Sequence, residues 1–565
     1  MAELGAGATA VTRAGRQGSS RAERNQRWLD TSRLNDGLAS RSRRGAAATA
    51  IGQVWGLVTQ LASAIVLARL LSPRDYGLVG MVLAVSALAD QLIEGGLSQA
   101  SVQRKVVSQS QASALFWMNV LLGTLLGALL AAASPVIAAF YGYHQLVGIT
   151  LLIAPSYLIS GALAQHQALL QRQLKFNSIA ARNMVGRTAS VGTAVLMAYL
   201  GAGYWALALM PLSNAAARAM LIWLACDWRP DRPARADELR EMLRFGANVA
   251  GSGIFALVTR NGDNILIGRF NGAAALGLYS RAYTLLLVPL QQTSLPINMV
   301  AVPTLSRLHD DAARFRRYYR AAVFTVALLS LPLVTLMGLL ADVFVQGLMG
   351  NEWKDVVSIF QVLAAAGFAQ AISSTTDWLW ISLNRAKELL RWTVWTRLLT
   401  LLAFVAGLPW GPIGVAWGVS LSALVTAAVL ICAATRGSPV QVRDTVAAIG
   451  PALLACTPLV VATLAVRRLM TLPPVGELIL AGGAGTAAYV VVVASVPSFR
   501  RQVGEIFKGS GAVSLQHVDA GVGGTLEETE DAATLAIRYT AGRSRRPLVL
   551  PQSSAIRGRA RHRRR

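Results

Sequence analysis

Residues 244–308 read RFGANVAGSGIFALVTRNGDNILIGRFNGAAALGLYSRAYTLLLVPLQQTSLPINMVAVPTLSRL. Two apolar runs, Phe245 to Gly268 and Leu276 to Val302, flank a short Asn271-Gly272 turn. A helix of about 20 residues crosses a hydrocarbon core of roughly 30 Å, so each run is long enough to span a membrane. The stretch therefore predicts a transmembrane helical hairpin.

A second hairpin lies 200 residues earlier in the chain, in the same register and without a gap. An ungapped match that includes a turn, the Arg before it and the Gly after it indicates an internal repeat. The earlier residues that match identical residues 200 positions later are Arg44, Leu57, Val58, Thr59, Ile65, Arg69, Gly77, Leu78 and Gln91.

The composition independently indicates a membrane protein that crosses the bilayer many times. Hydrophobic residues make up 54% of the 565 residues and charged residues only 14%, whereas about a quarter is usual in soluble domains. The net charge of +25 arises from Arg in the tails and in alternate loops. That pattern sets membrane orientation and does not indicate a nucleic-acid partner. Three isolated cysteines, without CxxC spacing, support neither a disulfide framework nor a metal site.

We expect an all-α membrane protein of about 14 transmembrane helices, since 14 apolar runs are long enough to span. Two parallel six-helix lobes related by a pseudo-two-fold axis would be followed by two C-terminal helices. The cation-rich loops share one side with both termini, so the positive-inside rule makes that side cytoplasmic. The expected spans are 46–68, 77–100, 112–133, 146–166, 178–200, 203–226, 245–268, 276–303, 320–341, 356–380, 389–408, 412–434, 446–466 and 475–496.

The expected domains follow from these spans. Residues 1–44 lack the apolar stretch of a cleavable signal peptide, so the first span is expected to act as the targeting signal. Both tails are too polar to bury a core, which predicts disorder. In order, the expected segments are a disordered basic N-tail (1–44), an N-lobe (45–226), a cytoplasmic linker (227–244), a C-lobe (245–434), two further helices (435–501) and a disordered basic C-tail (502–565).

Several motifs carry a resemblance to a known family. They are DNILIGRFNGAAALGLYSRA, VPTLSRLHDDAARFRRYYR, LARLLSPRDYGLVGMV and LIEGGLSQASVQRK. From about Gly45 to about Arg501 the chain resembles the bacterial Wzx polysaccharide flippases of the WzxC-like branch. Their superfamily also contains multidrug extruders and peptidoglycan-precursor flippases. The resemblance implies two six-helix lobes with two appended helices, a lipid-linked oligosaccharide as cargo and no catalytic signature.

Arginines within the spans are the candidate substrate site. A charge at the bilayer centre costs at least about 2.5 kcal/mol, so such residues face the protein interior or a water-filled cavity. A cavity lined by Arg suits an anionic headgroup such as a pyrophosphate, which a guanidinium can grip through two hydrogen bonds. A purely structural role remains the alternative. The candidates are Arg187, Arg218, Arg260 and Arg397.

Carboxylates within the spans are the candidate ion-coupling site. Asp90 and Glu94 lie four residues apart and share one helix face, and Asp263 lies three residues after Arg260. Exchange of H⁺ or Na⁺ at such a carboxylate would couple transport to an ion gradient. The competing interpretation pairs Asp90 or Glu94 with Arg187 or Arg218 and Asp263 with Arg260. Arg269, Arg281 and Asp377 lie near span ends, where contact with headgroups is expected.

These features favour a transporter over an enzyme. There is no Walker loop, and the five histidines are scattered, so neither ATP use nor a catalytic site is indicated. The resemblance to the Wzx flippases implies that the cargo is an undecaprenyl-pyrophosphate oligosaccharide, so we expect a flippase in the bacterial inner membrane that moves it outward by alternating access. No cofactor is expected, and the expected partners are the lipid-linked sugar, anionic phospholipids at the basic tails and polysaccharide polymerase or export machinery. A cation-coupled exporter of amphipathic small molecules is the alternative, followed by a membrane-embedded polymerase or transferase.

Overall fold

A computed structural model describes residues 21–30, 38–94, 107–232, 240–470, 473–497 and 499. Side chains are not described at 38–44, 46, 94, 240–260, 287–288, 291–292 and 294–296. The regular secondary structure of the described residues is entirely helical, as the apolar runs predicted. The predicted disordered C-tail, 502–565, lies outside the described residues.

The described residues of the first half form nine helices, here labelled in chain order. Helix α1 spans 21–29 and lies within the segment for which we expected disorder, so the N-terminal 44 residues are not disordered throughout. The helices that follow are α2 (Leu38–Leu70), α3 (Pro73–Glu94), α4 (Gln109–Tyr141), α5 (Gln145–Ile153), α6 (Pro155–Arg172), α7 (Phe176–Tyr199), α8 (Tyr204–Ala208) and α9 (Met210–Ala225).

The second half begins with the hairpin quoted above. Gly272, at φ 87° and ψ 178°, breaks α10 (Arg240–Arg307) into two arms, 240–271 and 273–307. The remaining helices are α11 (Ala312–Leu339), α12 (Ala341–Met349), α13 (Lys354–Ser373), α14 (Thr376–Ser382), α15 (Ala386–Gly407), α16 (Gly411–Thr435), α17 (Val442–Leu469) and α18 (Pro474–Ser495).

Ten stretches of the described chain are long and apolar enough to cross a membrane, which defines a multi-pass membrane protein. One of them, Ala386–Thr435, contains both α15 and α16. Helix α7 and the arms of α10 are also long enough to span and are not among the ten. The count of fourteen therefore stays a prediction.

The internal repeat is visible in matching turns. Leu174 follows α6 at φ 52°, and Asn384 follows α14 at φ 57°. The backbone N–H groups of residues 173–175 bond to the carbonyls of Leu169, Gln171 and Leu170. Those of residues 383–385 bond in the same pattern to Leu379, Ile381 and Trp380. At these turns the two halves are offset by 210 residues, because the second half inserts α12 and a short 3-10 turn (Asn351–Trp353) before the fourth helix.

The two lobes approach each other closely at two repeat-equivalent glycines. A Cβ on Gly77 of α3 would collide with the carbonyl oxygen of Ala273, and a Cβ on Gly277 of α10 with that of Pro73. Residues 73 and 77 become 273 and 277 when shifted by 200. The reciprocal contact therefore lies on the pseudo-two-fold axis that the sequence repeat predicted.

The last two helices pack on the second lobe. Tyr489 of α18 donates to the carbonyl of Leu328 in α11 at 2.7 Å. Arg467 of α17 lies 2.5 Å from Asp342 and 2.7 Å from Glu477, and joins α12 to both C-terminal helices. Arg316 of α11 pairs with the buried carboxylate of Asp444 at 2.6 Å. These helices add to one lobe and fall outside the repeat.

Candidate functional site

The lobes are joined at one end of the bundle, where the turns at 71–72, 142–144 and 272 lie. We call this the outer end, because the loops at the opposite, inner end carry most of the cations. Arg69 donates to the carbonyls of Leu348 at 2.9 Å and Gly347 at 2.6 Å, at the C-terminus of α12. Trp353 is fully buried and donates to the carbonyl of Ala68 at 2.8 Å. Residues of the first lobe therefore close onto the segment inserted in the second.

Aromatic contacts extend this closure toward the axis. The ring of Tyr76 meets Trp353 edge-on at 5.3 Å, and the guanidinium of Arg281 lies 3.8 Å from the centre of the same tyrosine ring. The hydroxyl of Tyr143 accepts a hydrogen bond from the backbone N–H of Ala273 at 3.2 Å. These aromatic and hydrogen-bonded contacts pack the two lobes against each other at the outer end.

Arg187 is exposed and lies at the middle of its helix. It is eleven residues from Phe176, the inner start of α7, which corresponds to a depth of about 16 Å. Its guanidinium lies against Gly56 of α2, beside a 3.1 Å hydrogen bond from Trp55 to Thr188. Within the described part of the chain it forms no hydrogen bond or ion pair. A charged side chain at this depth is expected to face the protein interior or a water-filled cavity rather than lipid.

Arg397 occupies the equivalent position in the other lobe. It is offset from Arg187 by 210 residues, as are the turns that precede their helices, and it is also eleven residues into its helix, α15. Its side chain is exposed and forms no hydrogen bond or ion pair with any described residue. Asp377 of α14 is near enough to act on it electrostatically. Two candidate arginines therefore lie at equal depth, one in each lobe.

The other two candidate arginines differ from this pair. Arg218 of α9 is half-buried, donates to the side chain of Gln167 at 2.7 Å and packs over Gly186. It thus ties three helices of the first lobe together. Arg260 lies on the first arm of α10, and its side chain is outside the described residues.

The carboxylate pair on α3 is only partly visible. Asp90 is exposed and forms a side-chain hydrogen bond with Tyr157 of α6. The same tyrosine hydroxyl also lies 3.1 Å from the carbonyl of Ser86, so its one proton is shared between two acceptors. Glu94 is the last residue of α3, and its side chain is not described.

Asp263 is buried between the two arms of α10. Its carboxylate accepts hydrogen bonds from the hydroxyl of Tyr279 at 3.1 Å and from the backbone N–H of Asn264 at 2.8 Å. Only 4% of the residue is exposed. None of the cationic side chains that the structure describes lies within ion-pair distance of it. The expected pairing with Arg260 falls on a side chain that is not described.

Sequence reasoning missed the residues that close the outer end. Trp353 and Tyr76 read as ordinary apolar residues, and α12 was not expected as a separate helix. The Gly350-Asn351 pair before Trp353 was the available turn signal. Among the described residues there is no cluster of three or more His, Cys, Asp or Glu that could hold a metal ion.

Comparison with known proteins assigns the family. A family described as "Polysaccharide biosynthesis protein" matches residues 66–358, more than half of the chain. The teichuronic acid biosynthesis protein TuaB of Bacillus subtilis is 28% identical over 384 residues, which cover 67% of this chain and 80% of that protein. The lipopolysaccharide biosynthesis protein WzxC of Escherichia coli is 25% identical over 69% of this chain and 79% of its own length. The chain belongs to the polysaccharide biosynthesis protein family, and the expected kinship with Wzx flippases is confirmed.

Solved structures agree at the level of the fold. A lipid II flippase, MurJ, in an inward closed conformation superposes with a TM-score of 0.63 at 14% identity, covering 79% of this chain and 97% of that one. An inward-facing MATE family multidrug transporter of the MOP superfamily gives 0.51 at 15% identity, covering 71% and 99%. The fold is therefore that of a two-lobed membrane transporter, and the family is one of transporters rather than enzymes.

Proposed function

We propose that this protein is a flippase that moves undecaprenyl-pyrophosphate-linked oligosaccharide units from the inner to the outer leaflet of the bacterial cytoplasmic membrane. The product would feed exopolysaccharide, capsule or lipopolysaccharide synthesis. The main support for this proposal is that the chain belongs to the polysaccharide biosynthesis protein family. The names of its relatives support it, since they include a succinoglycan biosynthesis transport protein, ExoT, of Rhizobium meliloti, 25% identical over 53% of this chain.

Translocation would proceed by alternating access. The lobes are closed onto each other at the outer end through Arg69, Trp353 and the two axial glycines. Rocking of one lobe against the other about the repeat axis would open that end and close the inner one. The lipid tail would stay in the bilayer while the sugar crosses between the lobes.

The pyrophosphate would be held by arginines within the spans. Arg187 and Arg397 fit this role best, because both are exposed at mid-depth without a hydrogen-bond partner among the described residues. Arg260 stays a candidate, whereas Arg218 would act on the site through Gln167. A guanidinium presents paired N–H donors to phosphate oxygens, which suits this headgroup.

Coupling to an H⁺ or Na⁺ gradient is a further part of the proposal. Asp263 is the strongest candidate, because it is buried and its described partners, Tyr279 and Asn264, are neutral hydrogen-bond donors. Asp90 and Glu94 remain candidates on α3. Both termini would be cytoplasmic, where the basic tails would attract anionic phospholipids. Polymerase or export machinery would take up the product.

A deletion strain tests the function. Loss of the gene is expected to abolish surface polysaccharide and to leave lipid-linked sugar on the inner leaflet, measured by its protection from a periplasmic glycosidase. Restoration by the wild-type gene is the control. Normal polysaccharide together with new sensitivity to amphipathic drugs would overturn the proposal in favour of a small-molecule exporter.

A further inference from the structure

Helix α1 is docked on the inner end of the first lobe. Asn25 and Trp28, three residues apart, share one face of the helix and are buried, with 2% and 8% of each residue exposed. Arg24 and Arg27 lie on the exposed face. A short helix is marginal on its own in water, so its buried face is what holds it in place.

The buried face of α1 binds residues 229 and 230, in the chain segment that follows α9. The side-chain amide of Asn25 donates to the carbonyl of Arg229 at 2.9 Å and accepts from the N–H of the same residue at 3.0 Å. One side chain thus satisfies both backbone groups, as a neighbouring strand would. Arg21 adds a hydrogen bond to the carbonyl of Pro230 at 3.0 Å.

The gripped segment, 226–231, is also fixed from its other side by α4. Trp228 is fully buried and donates to the side chain of Gln109 at 2.8 Å. The N–H of Asp231 donates to Ser113 at 2.9 Å, and its carbonyl accepts from Trp117 at 2.8 Å. The segment is therefore clamped between α1 and α4.

Helix α1 itself is held by the turn between α6 and α7. The side chain of Gln173 donates to the carbonyls of Trp28 at 2.7 Å and Asp30 at 3.0 Å. The ammonium of Lys175 lies 3.8 Å from the centre of the Trp28 ring, a cation–π contact. Gln173 and Lys175 belong to the first lobe, and the segment 226–231 is fixed to α4 of the same lobe, so the clamp moves with that lobe.

This arrangement shortens the connection between the lobes. The expected linker, 227–244, is not a free segment, since 226–231 is clamped and α10 begins at Arg240. Whatever its conformation, the chain from Arg232 to Arg240 spans at most about 28 Å. Once the contacts to α1 are lost and the segment also leaves α4, the chain from Cys226 to Arg240 would reach about 49 Å.

We propose that α1 is a clamp that sets the length of the inner tether between the lobes, and thereby limits how far their inner ends separate. The inference goes beyond the proposed function, because it concerns the mechanics of the lobes and holds for any cargo. With α1 docked, the second lobe is held on a short tether. With α1 released, the same lobe gains freedom without any change in the transport site.

A native cysteine reports whether α1 is docked. Cys226 is fully buried in a cluster that includes Trp28, Phe116 and Trp228. This burial keeps maleimide away from the Cys226 thiol while α1 is docked. In a protein with Cys432 and Cys456 replaced by Ala, Trp28→Ala is expected to convert Cys226 from protected to labelled. Arg24→Ala, on the exposed face of the same helix, is the matched control and keeps it protected.

Distance measurements then test the tether. Spin labels at Asn177→Cys and Lys387→Cys, which are exposed repeat-equivalent positions at the inner starts of α7 and α15, report lobe separation in a background without native cysteines. Trp28→Ala and the milder Asn25→Ala are expected to extend the distance distribution by ten ångströms or more, on the order of the added reach. Arg24→Ala should leave it unchanged.

Either measurement can overturn the proposal. Labelling of Cys226 without a longer distance in either variant would show that α1 covers the segment but does not limit the lobes. Protection of Cys226 in both Trp28→Ala and Asn25→Ala would show that α1 is not the cover. Asn25→Ala removes two hydrogen bonds and little volume, so it remains informative if Trp28→Ala fails to fold. Neither readout depends on cargo, so failure here leaves the flippase proposal intact.

Discussion

Arg187 and Arg397 are matched in depth and differ in their neighbours. Arg397 has Asp377 close by, and the position 210 residues before Asp377 is occupied by Gln167, which binds Arg218 instead. In the first lobe, the position equivalent to Asp377 carries no charge. In the second lobe, the charge of Arg397 is partly compensated by Asp377. An anion between the two arginines would interact more strongly with Arg187.

Arg187→Ala and Arg397→Ala are expected to lower polysaccharide export without affecting membrane insertion. A hydrogen bond to a charged group contributes about 1.5–3 kcal/mol, so headgroup affinity should fall about tenfold to a hundredfold. Replacement of either arginine by Lys should retain only part of the headgroup affinity, because an ammonium cannot present the paired donors of a guanidinium. Flipping of a lipid diphosphate in proteoliposomes measures this.

Controls separate binding from folding. Arg391→Ala, at the inner end of α15, should export normally. Arg218→Ala should mainly reduce stability, because Gln167 loses its partner. Normal export by Arg187→Ala and Arg397→Ala would contradict the headgroup site.

Asp263→Asn is expected to remove the dependence of flipping on an imposed H⁺ or Na⁺ gradient while preserving substrate binding. The amide keeps the size and an acceptor for Tyr279 but cannot carry the charge that coupling needs. The measurement compares proteoliposomes with and without a gradient, alongside Asp90→Asn and Glu94→Gln. Gradient dependence that survives in all three variants and in the triple variant would exclude these carboxylates.

At this scale the sequence identified which residues are unusual but not what they contact. Arg281 was expected at headgroups and instead lies over Tyr76, because a turn of α10 directs it toward the lobe interface. Arg218 read like Arg187 in sequence, yet only Arg218 meets an amide on a neighbouring helix. Such contacts depend on the packing of helices distant in sequence, which residue spacing does not encode.

At the scale of helices, the repeat was the most informative sequence feature. The 200-residue register correctly predicted the equivalence of Gly77 and Gly277, and the structure places them against each other's helix. Helix α1 was not predicted, because its composition is polar and its two buried residues, Asn25 and Trp28, are too few to form an apolar pattern. The change of offset to 210 was also missed, since α12 is too short to read as a span.

Gly77→Ala and Gly277→Ala are expected to push the outer ends of the lobes apart. The added methyl group meets backbone rather than a flexible side chain, and such overpacking costs about 1–3 kcal/mol. We expect lower thermal stability and a larger outward-open population, measured by the distance between labels on the outer turns.

Gly192→Ala is the matched control for the glycine variants. No heavy atom lies within 4 Å of a Cβ at this position in α7, so the change should be neutral or gain about 0.5–1 kcal/mol from helix propensity. Unchanged stability and outer distance in both Gly77→Ala and Gly277→Ala would show that the lobes are not in contact there.

For the whole molecule, the fold class was predictable because membrane helices are evident from length and hydropathy, and the family was predictable from the motifs that carry the resemblance. Orientation rests on loop charge and is open to direct test. Reporters fused after Arg244 and Arg501 should read cytoplasmic, and one fused after Asn351 should read periplasmic, because the span count between them fixes the side. Reporter enzymes active on only one side of the membrane measure this. A periplasmic signal at Arg501 would remove the last two helices from the topology.

The contact at the axis also bears on ancestry. Reciprocal pairs such as Gly77 with Ala273 and Gly277 with Pro73 are the signature of an isologous interface, in which one patch meets its own copy. In a homodimer, each substitution at such a patch would act twice. A single fused chain lifts that constraint, and Arg69 and Arg269 show the result: one binds carbonyls at the end of α12, whereas the other lies beside Phe140 and Phe270. Two fused lobes can acquire such differences one at a time, whereas in a dimer of identical chains every substitution appears in both halves.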